Sequence, residues 1–344
     1  MRGICALVVA ILHCDIVLGS AALFRHGWLS VDVFFVMSGF VIALNYEGRL
    51  NGAGGFGKFA RARAARLLPV QIIATVIAAL SCLALYWSGH WTLPGLDAGV
   101  LLITLVWGLF LIPIDLSPVA GIFAPLQWGF PINPPLWSLH AEWLVNIIYG
   151  RFLFAARTFV LAAIFGSLTI YLLYNLLHFR PEWDMTVPYK IVPNLARATI
   201  GFIAGMMIFR ANNAGLLRYL PLIPPQAIYV CWVFICAVPH DRPMPMFEAI
   251  AALVLAPLAI MLLVRGERRM PQPYLVLGTL SYPLYVSHFV IVNSAMIWIH
   301  PADGRHSLLL LFPMLLAALI LAWVINHAAR LMVPPRGIEP LFQP

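Results

Sequence analysis

Charge is scarce in this chain. Only 10% of its 344 residues are Asp, Glu, Lys or Arg, and 62% are hydrophobic, with a mean hydropathy of +0.91. That balance lies far from the mix of an ordinary soluble domain. No polar stretch is long enough to form a soluble domain beside the apolar ones. The expected fold class is therefore all-α, a polytopic integral membrane helix bundle whose first partner is the lipid bilayer. Cysteine is also sparse: Cys5, Cys14, Cys82, Cys231 and Cys236 lie in apolar runs without metal-ligand spacing. They read as small hydrophobes, and neither a disulfide framework nor a metal site is expected. Internal repeats and low-complexity linkers are lacking too. The net charge of +8 raises the question of nucleic acid. The arginines, however, fall in short loops between apolar runs, which is the positive-inside pattern and not a basic soluble surface, so no nucleic-acid partner is expected.

Ten apolar segments have about the length needed to cross a hydrocarbon core of roughly 30 Å. They lie near 3–22, 28–46, 67–88, 135–150, 156–177, 193–211, 217–238, 246–264, 274–299 and 307–329. The stretch 98–134 is ambiguous, apolar at first and then rich in Pro and Gly. Charge decides how to count it. The loop 47–66 carries Arg49, Lys58, Arg61, Arg63 and Arg66, which places it and both termini in the cytoplasm. The later arginine clusters, at 151–157, 210–218, 265–269 and 330–336, fall on that same side only if 98–134 crosses an even number of times. A re-entrant or broken segment satisfies this, provided protein or water covers its backbone. The protein is expected in the inner (plasma) membrane. The loops on the other side are then 89–97, 178–192, 239–245 and 300–306.

The first span carries an unusual load. Arg2 and His13 are eleven positions apart and fall on nearly one helix face, separated by about 16 Å along the axis. Asp15 points almost the opposite way and is not paired with His13. Ionisable groups inside a span usually face a cavity or a partner. Residues 3–22 have the outline of a secretory signal, but a second span follows at once and retention is expected. Arg2 stands at a helix start with nothing ahead to cap it, the pattern of a start assigned a few residues late.

Further groups recur inside or beside the spans. The second span reads Val31-Asp32-Val33-Phe34-Phe35-Val36-Met37-Ser38-Gly39-Phe40, with a buried Asp32 and a Ser38-Gly39 pair suited to close helix approach. Arg63 and Arg66 share a helix face at the membrane boundary, where they act either as topology anchors or as phosphate ligands, for which forked guanidinium groups are suited. Trp137-Ser138-Leu139-His140-Ala141-Glu142 opens another span, and Ser281-Tyr282-Pro283-Leu284-Tyr285-Val286-Ser287-His288 lies within the apolar segment 274–299.

Together these residues resemble the acyltransferase 3 family of integral membrane acyltransferases, which modify envelope polysaccharides, lipopolysaccharide O-antigens, nodulation factors and some macrolides. The pattern of an arginine followed eleven residues on by a histidine is met by Arg2 and His13. The second-helix pattern is met with Ser30 in place of the usual glycine, the Arg-x-x-Arg then Leu-x-Pro pattern by Arg63, Arg66, Leu67 and Pro69, and two further patterns by Trp137 to Glu142 and Ser281 to His288. Near the last helix the chain departs from the family, reading Asn326-His327-Ala328-Ala329-Arg330.

The resemblance implies one transmembrane acyltransferase domain over 1–333, a short tail at 334–344 and no fused soluble domain. It also implies a co-substrate, acyl-CoA with acetyl-CoA as the default, and no permanently bound cofactor. Arg2, Arg63 and Arg66 would hold the donor phosphates. His13 would be the general base toward a hydroxyl of a cell-envelope glycan, an exopolysaccharide or a small hydroxylated acceptor. Glu142 would orient that base or bind acceptor hydroxyls. His288 would stabilise an oxyanion or position the acceptor. Asp32, Ser38, Trp137, Ser138 and Tyr282 are substrate-binding or structural positions. The alternative from another class is a proton-coupled secondary transporter or flippase, since buried Asp, Glu and His also suit a carrier.

Overall fold

The computed structural model describes residues 1–19, 23–50, 54–89, 98–115, 128–178, 191–239, 244–266, 272–295 and 308–332. The tail 334–344 and the loop 300–306 lie outside these residues, as do 90–97, 179–190 and 240–243 of the other expected loops.

Long apolar runs in a chain with so few charges leave helices as the way to satisfy backbone groups in lipid, and the described residues form an all-α bundle. Each of the ten expected spans corresponds to helix: α1 (Arg2–Val17), α2 (Ser30–Tyr46), α3 (Gly55–Trp87), α5 (Leu136–Arg151), α6 (Thr158–His178), α7 (Ile191–Asn213), α8 (Pro225–Ala237), the run Pro245–Gly266, α11 (Gln272–Ala295) and α12 (Leu311–Met332). The run Pro245–Gly266 is α9 (Pro245–Ile250), a π-helical turn at Ala251–Leu255, and α10 (Ala256–Gly266). Seven of the helices are long and apolar enough to cross a membrane. By contrast α1 and α5 have 16 residues and α8 has 13.

The extra element is α4 (Ala98–Leu109), followed by a two-residue strand pair, β1 (Ile114–Asp115) with β2 (Trp128–Gly129), antiparallel. α4 runs antiparallel to α3. Leu101 packs in one cluster with Ala79 and Cys82, while Gly108 meets Thr75 and gives its carbonyl to Gln71 Nε2 at 2.7 Å. The helix thus starts near one end of α3 and stops at its middle. α4 thus reaches only halfway along α3, in keeping with an even number of crossings, and residues 116–127 of the expected re-entrant stretch lie outside the described residues.

Contacts fix helix direction. On α2 and α7, Asp32 meets Arg197, Phe40 meets Phe209, and Glu47 meets Arg210, so the two run parallel. Their backbones touch: a Cβ on Gly39 would overlap the Phe202 carbonyl, and one on Gly205 would overlap the Val36 carbonyl. Lipid tails are as apolar as the helices, so such close packing of small residues takes the place of hydrophobic exclusion. A second parallel pair is α1 with α11, in contact at Gly3 with Leu277 and at His13 with His288. α3 also runs parallel to α11, through Tyr282 with Leu67 and Asn293 with Cys82. α1, α3 and α11 pointing one way and α2 and α7 pointing the other way along the bundle is what ten alternating crossings require when α4 counts as none. Arg2, Arg63, Arg66, Arg151 and Arg210 accordingly gather toward one end, called here the arginine end.

Candidate active site

The site is built on five helices around a cavity at the arginine end, partly open to solvent, with about 730 Å³ of empty space. Its polar lining includes Arg2 from α1, Ser38 from α2, Arg63 and Arg66 from α3, Glu142 from α5, and Tyr282 from α11. Deeper in, the lining turns apolar through Phe34, Phe35 and Leu139.

One carboxylate organises the cationic mouth. Glu142 Oε1 accepts from Arg63 Nη2 at 2.9 Å and from the Ser38 hydroxyl at 2.8 Å. Arg63 is 7% exposed, and its Nε is buried with no hydrogen-bond partner. A buried guanidinium N–H left unpaired costs free energy, about 1–3 kcal/mol or more, and in a cavity lined by three arginines it suits an anionic ligand. Arg66 stays exposed at the rim and Arg2 is half-buried. Three guanidinium groups stand against one carboxylate, so the mouth of the cavity is cationic. Tyr282 does not donate into the cavity, because its hydroxyl bonds the Leu67 carbonyl at 2.7 Å and joins α11 to α3 beside Pro69.

The inner end of the cavity reaches Tyr285, whose ring lies 5.4 Å from that of Phe34. Ser138 and the Tyr285 hydroxyl bond at 2.7 Å, which ties the start of α5 to α11. One turn further along α11, the His288 ring is 6.0 Å from Tyr285. His288 is 0% exposed, and its Nε2 is 3.1 Å from Nδ1 of His13. His13 itself is half-buried.

Asp32 and Trp137 both meet one arginine on α7. Asp32 is held by Arg197, whose Nε and Nη2 each donate to one carboxylate oxygen at 2.7 Å, and Nη2 also reaches the Trp28 carbonyl at 3.3 Å. Trp137 offers its ring to the same guanidinium, 5.7 Å from the centroid. Asp15 accepts from the Leu23 backbone N–H at 2.8 Å, away from His13, as its helical angle requires. Glu142 Oε1 is taken by Arg63 and Ser38, on the arginine side of the cavity. His288 is fully buried, with its Nε2 against His13.

Sequence reasoning missed Arg197, although a lone arginine inside the apolar run 193–211 is the signal that a buried acid must face it. It also missed His26, whose fully buried Nδ1 lies 3.1 Å from Glu248 at the opposite end of the bundle from Arg2, Arg63 and Arg66. Among the described residues, no three His, Cys, Asp or Glu side chains come together as a metal site.

The sequence pattern of the acyltransferase 3 family, described as an acyltransferase domain, matches residues 1–327, and the chain belongs to that family. It is therefore a membrane-embedded acyltransferase, which implies an acyl donor and an acceptor. A curated relative, "Protein 2 in picA locus" from Rhizobium radiobacter, is 33% identical over 160 residues, covering 44% of this chain and 78% of the relative. No solved structure matches the chain.

Proposed function

We propose that the protein moves an acyl group, acetyl by default, from cytoplasmic acyl-CoA to a hydroxyl of a cell-envelope or exopolysaccharide glycan, with His13 as general base. The observation that carries this reading is the alignment along α1 and α11. Arginines line the cavity at one end of these helices, and a histidine pair sits a turn beyond the cavity's inner end.

Arg2, Arg63 and Arg66 would take the donor phosphates, with the unpartnered Arg63 Nε among the donors available to them. The positive-inside pattern supports a cytoplasmic arginine end in the inner membrane, which is where acyl-CoA is made. The pantetheine arm would follow the apolar lining toward Phe34 and Tyr285. His13 would then accept the proton of the acceptor hydroxyl as its oxygen attacks the thioester carbonyl. The carbon–sulfur bond breaks, the proton passes from His13 to the departing CoA sulfur, and the products are an ester and free CoA.

The test is the composition of envelope and secreted glycans from cells expressing wild type, His13→Ala or no protein, read by mass spectrometry. An added acyl mass in wild type only, with the variant present in the membrane at equal amount, is the expected result. Equal acylation in wild type and variant would remove His13 as base. No acyl mass on any glycan in wild type would overturn the glycan reading and favour a small acceptor or a carrier.

A further inference from the structure

His288 is the least accessible of the ionisable groups near the site, and its two nitrogens are both engaged. Nδ1 lies 3.2 Å from the Leu284 carbonyl, and Nε2 lies 3.1 Å from His13 Nδ1. A carbonyl oxygen only accepts, so in a neutral ring Nδ1 carries the proton and Nε2 presents a lone pair. The same reasoning then applies to His13. Its Nδ1 is 2.9 Å from the Val9 carbonyl and 3.1 Å from His288 Nε2. Both of those neighbours are acceptors, so the His13 proton sits on Nδ1 and the lone pair on Nε2. His13 also keeps part of its surface open, whereas His288 is 0% exposed.

We infer that His288 is the positioning residue of the His13 base: its Nε2 fixes the ring and tautomer of His13, turns His13 Nε2 toward the acceptor, and stays hydrogen-bonded to Nδ1–H when His13 becomes charged. This rests on the proposed acyl transfer and assigns His288 a role through His13, with no contact to acceptor or oxyanion. Val9 cannot do this alone. It lies on the same helix one turn back, and its carbonyl is also the regular i−4 acceptor of the His13 backbone N–H. His288 comes from α11 and holds the ring against a second helix. The Phe289 ring, edge-on at 5.6 Å, packs the other side of His13. During transfer the acceptor O–H bond breaks toward His13 Nε2, His13 carries both protons and the positive charge, and the Nε2 proton leaves with the CoA thiol. His288 keeps its own Nδ1 proton throughout.

The test uses the full-length protein in membrane vesicles, with acetyl-CoA as donor and the glycan on which wild type places an acyl group. His288→Met fills the buried space without an acceptor nitrogen, and His288→Gln keeps an acceptor oxygen. At equal protein in the membrane, His288→Met is expected to lower kcat about 10- to 100-fold, the size of loss seen when a group that orients a metal-binding histidine is removed. The KM for acetyl-CoA should stay within about twofold, because the cavity is left intact, and His288→Gln should recover most of kcat. Unchanged kcat in His288→Met would overturn the inference. So would a His288→Gln variant as slow as His288→Met, or a loss that appears only in KM. A wild type that transfers nothing refutes the acyl-transfer reading itself, a result distinct from these three.

Discussion

Asp32 on α2 and Arg197 on α7 meet as a two-pronged pair, 165 residues apart in sequence, with both hydrogen bonds at 2.7 Å and both side chains almost wholly buried. The pair sits beside the contact of the Gly39 and Gly205 backbones with the opposing helix. It locks the register of two parallel helices that have no hydrophobic reason to prefer one register in lipid.

Removing one partner leaves the other charge buried and alone, which typically costs about 3–5 kcal/mol. Asp32→Asn and Arg197→Met are each expected to lower the unfolding midpoint in detergent strongly. The double variant should recover much of that loss, since replacing both charges removes the uncompensated one. A double variant as unstable as the sum of the singles would show that the two groups do not act as a pair.

Gly39→Ala places a methyl group on the Phe202 carbonyl, and Gly205→Ala does the same to Val36. Overpacking of this kind costs about 1–3 kcal/mol. Either variant should fold in lower yield, while alanine at Gly166, where nothing lies near the added carbon, should not. Comparing the three by membrane expression and thermal melting checks the claim.

Arg63→Lys keeps the charge and loses the fork. Hydrogen bonds to charged groups are worth about 1.5–3 kcal/mol, so the KM for acetyl-CoA should rise about 10- to 100-fold with kcat little changed. Equilibrium binding of labelled CoA to the purified protein gives the same comparison without turnover. Unaltered binding would take Arg63 out of the donor site.

Glu142→Gln keeps an acceptor for Ser38 and Arg63 but removes the negative charge beside the proposed phosphate positions. Its kcat should fall far less than the roughly 100- to 10,000-fold that loss of a general acid or base costs, and donor binding should hold or tighten. A collapse of kcat with normal binding would return Glu142 to the chemistry.

Much of the site could be read in the sequence because the spans are short on charge, so most ionisable residues inside them stood out, Arg197 being passed over. Arg2, Arg63, Arg66 and Glu142 do line one cavity, and Ser38 joins them. Helix periodicity correctly set Asp15 apart from His13. What stayed hidden were pairings across distant segments. Neither the join of His13 to His288 nor that of Asp32 to Arg197 has any local spacing to announce it. Position on a helix also says nothing about depth, so His288 looked as available as His13 although only His13 keeps an open face. The stretch 98–134 yielded to charge counting, whereas the way α4 ends, with its Gly108 carbonyl taken by Gln71, depends on tertiary contact.

That half-length helix has a consequence for the surrounding lipid. α4 is about 18 Å long at 1.5 Å per residue, little more than half of a core about 30 Å thick, and Leu102, Ile103 and Val106 on it are exposed. Among the described residues, lipids of one leaflet meet a wall with an added helix and those of the other leaflet do not. The cross-section of the described bundle therefore differs between leaflets, and the protein should favour membranes whose curvature or composition tolerates that asymmetry.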